Sequence, residues 1–122
     1  VKKTDETTFS VKLLGEFKIE DNGLAVVDGV ATGFMRIRKA AIETIWDAAE
    51  EYKELGKVEP SRMVFDVKVV DGDLWSEDIV FCDNWIRLGG KVYIDPLINC
   101  GHSGEKRWVG NFYEWIKLFN RR

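Results

Sequence analysis

Residues 74–96 read LWSEDIVFCDNWIRLGGKVYIDP, and this stretch decides the class of fold. Ser76 is of a type that caps the first turn of helices, and the pair Gly89-Gly90 is typical of a helix end, so the segment between them predicts a helix. The next segment, KVYID, predicts a strand that Pro96 ends. A helix that leads into a strand indicates a layered structure containing both elements.

The first third of the chain predicts strands. Apolar and polar residues alternate over residues 7–20, and Asp21-Asn22-Gly23 separates them from the apolar run LAVV. Asn-Gly between two such runs is a strong signal for an antiparallel hairpin. The segment ATGFMRIR then predicts a short strand, in which Gly33 indicates a bulge or a close approach of another backbone or a ligand.

A helix is predicted next, because five apolar residues recur at helical spacing: Ile42, Ile45, Trp46, Ala49 and Tyr52. Gly56 is expected to close this helix, and Pro60 to prevent its return. The alternating residues 62–70, RMVFDVKVV, predict a half-buried strand. Asn111 predicts the cap of a last helix, with Glu114 in a capping-box position.

The predicted order is therefore β-β-β-α-β-α-β-loop-α, an α/β (mixed α+β) fold with a mixed sheet and about three helices. Two helices lying on one sheet would bury most of the aromatic side chains. A chain of 122 residues with 45% hydrophobic content is long enough for a single domain, 1–122, with the hairpin of residues 1–25 as an N-terminal extension.

The charge and the cysteines limit the classes of partner. A net charge of −3 gives no basic field for nucleic acid, and the short basic runs indicate solvated surface. No apolar run approaches the roughly 20 residues of a membrane span. The opening VKKTDETTF lacks a secretory pattern, and Cys82 and Cys100 are too few for a disulfide framework, so we expect a reduced, cytoplasmic protein. The start at Val1 suggests a processed product or a fragment.

Three groups of residues are candidates for chemistry. Glu77 and Asp78 open the helix described first, where the helix dipole stabilises acidic side chains, and the same dipole would keep a carboxylate ionised as a proton acceptor. His102, the only histidine, lies in the sequence CGHSGEKRW beside the Ser103 hydroxyl, but one histidine alone is not a metal site. Residues 71–73, DGD, fit a tight turn better than a metal-binding D-x-D motif.

Taken together, three segments resemble the C-terminal, acceptor-side half of an inverting glycosyltransferase with the GT-A fold, of the family-two-like bacterial and phage type. The first is ATGFMRIRKAAIETI (31–45), which resembles a "GTGF…IRR" segment. The second, residues 74–96, is similar to a "SED..FC.R.…GGKI.VDP" segment. The third is CGHSGEKRWVGN (100–111), which is similar to a "GH.G" ending. The resemblance covers roughly residues 26–112.

The resemblance implies roles for the matching positions. Asp78 would be the general base that deprotonates an acceptor hydroxyl, and Glu77 would orient the acceptor. His102 would complete the coordination of a divalent ion, manganese or magnesium, on the diphosphate of a nucleotide sugar. The residues expected to contact substrate are Thr32, Gly33, Trp75 and Ser103, although Trp75 fits the core equally well.

The chain also departs from this family. The nucleotide-binding half and its D-x-D motif should precede the ATGF segment, yet only about 30 residues stand there. The metal is therefore expected only with the missing half, and transfer by this chain alone is not expected. The alternative is a non-catalytic scaffold or oligomerisation module, with a homodimer formed through an exposed sheet edge.

Overall fold

The computed structural model describes residues 11–12, 15, 18–98, 103–105, 107, 109–119 and 121, which form a mixed α+β structure, as predicted. The strand pairs among these residues are all antiparallel. The strands are β1 (Val11–Lys12), β2 (Lys18–Ile19), β3 (Ala25–Val27), β4 (Gly29–Val30), β5 (Glu51–Lys53), β6 (Pro60–Arg62), β7 (Lys68–Val70), β8 (Asp73–Trp75) and β9 (Val92–Ile94). The helices are α1 (Lys39–Ala48), α2 (Glu77–Arg87) and α3 (Phe112–Phe119).

The predicted N-terminal hairpin is confirmed by the pairing of β2 with β3. Lys18 faces Val26 in the register, and Gly23 adopts a φ of 80° in the turn between the strands. That left-handed conformation favours glycine, which has no Cβ to clash. The Asn22 side chain accepts a hydrogen bond from the Leu24 N–H at 3.0 Å and helps to fix the turn.

The central sheet has the order β2–β3–β9, so the strand after α2 returns to pair with the N-terminal hairpin. Helix α2 packs against β4 and β9, and α1 contacts α2. The buried cluster between them consists of Ile45, Phe81 and Cys82. The Phe81 ring stacks on Phe65 with 4.7 Å between the ring centroids. Both helices therefore contribute to one small core beside the sheet.

Helix α2 begins and ends as the sequence predicts. Ser76 is the N-cap residue, and Gly89 has a φ of 92° just beyond the last turn. The indole N–H of Trp85 donates to the Lys91 carbonyl at 3.1 Å, which joins the helix to the segment entering β9. A Cβ at Gly90 would lie 1.9 Å from the Trp85 ring, so only glycine fits this close approach.

The predicted extension of α1 as far as Tyr52 is wrong. The helix ends at Ala48, and Tyr52 lies in β5, which pairs with β6. Arg62 explains the difference, because its guanidinium donates to the Ala49 carbonyl at 3.0 Å and forms an ion pair with Glu51 at 3.5 Å. These contacts hold the chain extended where local spacing favours a helix. Gly56, with a φ of 80°, lies in the turn between the two strands.

Two predicted strands also differ from the structure. The segment expected to be a strand around Gly33 contains a 3-10 turn, Thr32–Phe34, followed by extended chain without strand pairing. The strand predicted over residues 62–70 is interrupted between β6 and β7. At that interruption the chain bends at Phe65, whose ring stacks on Phe81, so packing overrides the alternation.

The turn at residues 71–73 and the last helix agree with the sequence. Asp71 and Gly72 have φ values of 51° and 86° and connect β7 to β8, which is the geometry of a tight hairpin turn. At the start of α3, the Asn111 side chain accepts a hydrogen bond from the Glu114 N–H at 3.1 Å. The predicted helix cap is therefore confirmed.

The expectation that most aromatic side chains are buried is wrong for the part of the chain that is described. Phe81 is buried, whereas Phe34, Phe112 and Tyr113 are largely exposed. The two-stranded pairs β5–β6 and β7–β8 do not extend the central sheet. No described helix has the length and apolar character that a membrane span requires.

Candidate functional site

The candidate site begins at the N-terminus of α2. Ser76 precedes the helix, and Glu77 and Asp78 form its first turn, where backbone N–H groups and the helix dipole favour negative charge. Glu77 is exposed, whereas Asp78 is half-buried. Neighbouring helical positions point about 100° apart, so the two carboxylates have different surroundings. Asp78 is therefore the less exposed of the two candidates for chemistry.

Two hydrogen bonds fix the Asp78 carboxylate. The Ser76 hydroxyl donates to Oδ1, and the backbone N–H of Ile79 donates to the same oxygen at 2.8 Å. Among the described residues both bonds fall on Oδ1, which leaves Oδ2 as the oxygen available to a further donor. The Ser76 side chain thus orients the carboxylate instead of capping a backbone N–H, which corrects the cap predicted from the sequence.

Cys82 lies one turn after Asp78 on the same face of α2. Its side chain is buried, and its Sγ lies 3.8 Å from the Val30 carbonyl oxygen, to which the thiol donates. Burial raises the pKa of the Cys82 thiol above its ordinary value of 9.0, and the negative charge of Asp78 raises this pKa further. The thiol is therefore a neutral, packed group at neutral pH, and Cys100 lies outside the described residues.

The contact between Cys82 and the Val30 carbonyl also places the Thr32–Gly33 turn close in the chain to a residue that touches α2. Strand β4, which ends at Val30, packs against α2, and the turn follows two residues later. Thr32 and Gly33 are both exposed, and a Cβ built on Gly33 would meet no atom of the described residues within 4 Å. No described residue makes the close backbone approach that was one of the alternatives predicted at Gly33, and the approach of a ligand there stays a prediction.

Trp75 lies at the end of β8, immediately before the residues that fix Asp78. It is half-buried, and the Lys12 ammonium lies over its ring, 3.1 Å from the centroid. This distance is well within the range of a cation–π interaction. The sequence did not indicate Lys12 as a site residue, because alternation alone places it on the polar face of β1, and its contact with Trp75 joins segments far apart in the chain.

The remaining predicted site residues follow β9. Ser103 is exposed and lies in a segment without helix or strand structure. His102 lies outside the described residues. Among the residues that are described, no group of three or more His, Cys, Asp or Glu side chains lies close enough to hold a metal ion. The metal thus stays a prediction that depends on His102.

A separate cavity of about 320 Å³ lies at the opposite end of α2. It is lined by residues from the C-terminal ends of α1 and α2 and from the segment that leads into β7. Among them are Ala48, Asp66, Lys68 and Arg87. Arg87 already pairs with Asp83 at 2.7 Å. The cavity is lined by the last turn of α2, whereas Asp78 lies in the first turn and does not line it.

No family model matches this chain, no curated protein matches its sequence, and no solved structure matches its fold.

Proposed function

We propose that this chain supplies the acceptor side of a glycosyltransferase, with Asp78 as the general base. The observation that carries the proposal is the fixed Asp78 carboxylate, which accepts hydrogen bonds from Ser76 and from the Ile79 N–H at the positive end of an 11-residue helix. A base held in one orientation needs little rearrangement when its substrate arrives. The sequence resemblance supports the same assignment.

The reaction follows from a base in this position. Oδ2 of Asp78 accepts the proton of an acceptor hydroxyl while that oxygen attacks the anomeric carbon of the donor sugar. The new oxygen–carbon bond forms as the bond from that carbon to the diphosphate breaks, and the electron pair leaves with the diphosphate. Attack from the opposite face inverts the configuration. General-base assistance of this kind contributes about 10²–10⁴-fold in rate.

The other roles are assigned by position. Thr32 and Gly33 line the open space at the end of β4, where we place the donor sugar and the acceptor. Glu77 orients the acceptor, and Ser103 contacts substrate. His102 would be the ligand of a manganese or magnesium ion, which would supply charge neutralisation to the departing diphosphate.

The donor half of the site belongs to a different polypeptide segment. The nucleotide sugar needs a binding region that the resemblance places before ATGF, and the residues there include the β2–β3 hairpin. We therefore propose that the isolated chain binds neither donor nor metal strongly. Calorimetric titration with manganese and with UDP-glucose as the probe checks this, and micromolar binding of either would contradict it.

The decisive test is a transfer assay on a polypeptide that includes the upstream donor-binding segment. Asp78→Asn removes the base but keeps a side chain of the same shape, so turnover should fall by at least about 10²-fold while nucleotide-sugar binding is unchanged. Asp83→Asn is the matched control, because Asp83 is also an acidic residue of α2 but pairs with Arg87. Undiminished turnover in Asp78→Asn would overturn the assignment.

We also propose a cytoplasmic location, since the Cys82 thiol is free and buried. A disulfide-linked form isolated from cells would contradict this location.

A second candidate function is a non-catalytic oligomerisation module. The hairpin of β7 and β8 pairs Val69 with Leu74, and both side chains are largely exposed. Residues paired across an antiparallel ladder project from the same face, so these two form an apolar patch on the sheet surface. A second copy of the chain would cover that patch in a symmetric dimer.

A further inference from the structure

The N-terminal strand β1 reaches the start of the candidate catalytic helix. It pairs with β4, with Val11 facing Val30 and Lys12 facing Gly29. The Asp28 N–H also donates to the Lys12 carbonyl at 2.9 Å. The pairing of β1 with β4 and the hydrogen bond from Asp28 thus hold the Lys12 backbone in place, independently of the Lys12 side chain.

Gly29 lets β1 and α2 approach each other. A Cβ at Gly29 would lie 2.8 Å from Cδ1 of Ile79 and 3.3 Å from Cβ of Lys12. Ile79 is the residue whose N–H fixes the Asp78 carboxylate. The Lys12 side chain therefore starts beside the first turn of α2 and ends with its ammonium over the Trp75 ring.

We propose that the indole face of Trp75 beneath Lys12 is the contact surface for a neutral hexopyranose ring, and that Lys12 holds this surface closed until the sugar displaces it. This inference rests on the proposed function, because it concerns access to the same site. It identifies the ligand as a sugar ring and β1 as the element that controls entry.

The chemistry of the indole face explains the competition. The face of an aromatic ring is electronegative, so it attracts an ammonium group or the slightly positive C–H groups on the apolar side of a hexopyranose. With Nζ at 3.1 Å from the centroid, no sugar ring can stack on that face. The sugar must therefore replace the cation–π contact, and its apparent affinity is reduced accordingly.

Lys12→Gln tests the inference in the 122-residue chain. Removing the charge should open the indole face and lower the apparent Kd for methyl β-D-glucopyranoside about two- to fivefold, which matches the strength of an exposed cation–π contact. The affinity is measured by NMR from the shift of the Trp75 indole N–H signal. Lys12→Arg retains a cation and should bind as weakly as the parent chain.

Lys18→Gln is the matched control, because Lys18 is an exposed lysine of β2, which lies in a different sheet from β1, and the substitution should leave the Trp75 signal unmoved. Lys12→Gln changes only the side chain, so the backbone pairing of β1 with β4 is kept. Unchanged indole N–H signals of the other tryptophans show that the variant is folded.

Equal affinity in the parent chain and Lys12→Gln would overturn the gating role. Absence of any sugar-induced shift at Trp75 in Lys12→Gln would overturn the sugar surface itself. Neither outcome affects the role of Asp78, which the transfer assay tests separately.

Discussion

The Asp78 carboxylate, which we propose as the general base, also forms hydrogen bonds that stabilise the start of α2. At the residue scale this carboxylate satisfies the Ile79 N–H, one of the backbone donors that a helix start leaves without a partner, and it accepts from Ser76. Asp78→Ala should lower the free energy of unfolding by about 1 kcal/mol, as the loss of an N-terminal capping group typically does. Urea denaturation measures the change.

Glu77→Ala provides the comparison, because Glu77 is exposed in the same turn and no described residue bonds its carboxylate. Its loss should be clearly smaller than that of Asp78→Ala. Equal losses would mean that only the helix dipole matters here and that the Asp78 hydrogen bonds contribute nothing to stability.

Cys82 gives the fold a pH dependence on the alkaline side. Burial, aided by Asp78, raises the pKa of its thiol above 9.0, so the unfolded chain loses this proton at a lower pH than the folded chain. In that interval the folded state binds more protons, and the free energy of unfolding falls as pH rises. The stabilisation is fully present below about pH 9 and is lost as pH rises through the folded pKa.

Urea midpoints measured from pH 7 to 10.5 check this pH dependence. Cys82→Ala should show a shallower decrease above pH 9 than the parent chain, with Cys100→Ala present in both to remove the second thiol. Identical slopes would show that the Cys82 thiol has the same pKa in the folded and unfolded states.

At the scale of elements, α2 and β9 are held together at Gly90. Gly90→Ala would place a Cβ within the Trp85 ring, so the ring must move and its hydrogen bond to the Lys91 carbonyl is lost. Overpacking of this kind destabilises by about 1–3 kcal/mol, and the thermal midpoint should fall by several degrees. Gly104→Ala is the control, since a Cβ there meets no atom of the described residues within 4 Å. A midpoint unchanged in Gly90→Ala would show that Trp85 has another place to pack.

The elements also show where sequence reasoning succeeds. Helix α2 carries its own start and stop signals, Ser76 and Gly89, so its bounds and the position of Asp78 follow from local sequence. The end of α1 depends on Arg62, thirteen residues after the carbonyl that it bonds, and helical spacing cannot register such a contact. The Lys12–Trp75 contact is unpredictable for the same reason, because it needs the pairing of β1 with β4.

At the scale of the whole molecule, few apolar side chains of the described residues are buried. The buried apolar side chains of the described residues come from β3, α1 and α2, whereas the hairpins β5–β6 and β7–β8 expose Leu55, Val69 and Leu74. An exposed apolar face on a sheet is a feature that proteins usually cover. Either a donor-binding segment or a further copy of the chain could cover the exposed apolar face of the β7–β8 hairpin.

These two arrangements differ in how the mass depends on concentration. In the hairpin of β7 and β8, Val69 and Leu74 are 71% and 72% exposed and face each other across the ladder. If the chain pairs with itself there, light scattering should show the mass rising from 14.0 kDa toward twice that value as concentration increases.

Val69→Thr with Leu74→Thr keeps strand propensity but removes apolar surface, so this variant should stay monomeric. Leu55→Thr, which changes a fully exposed residue in the other hairpin, should still dimerise. A parent chain that remains at 14.0 kDa throughout would exclude self-pairing and favour the donor-binding segment as the cover.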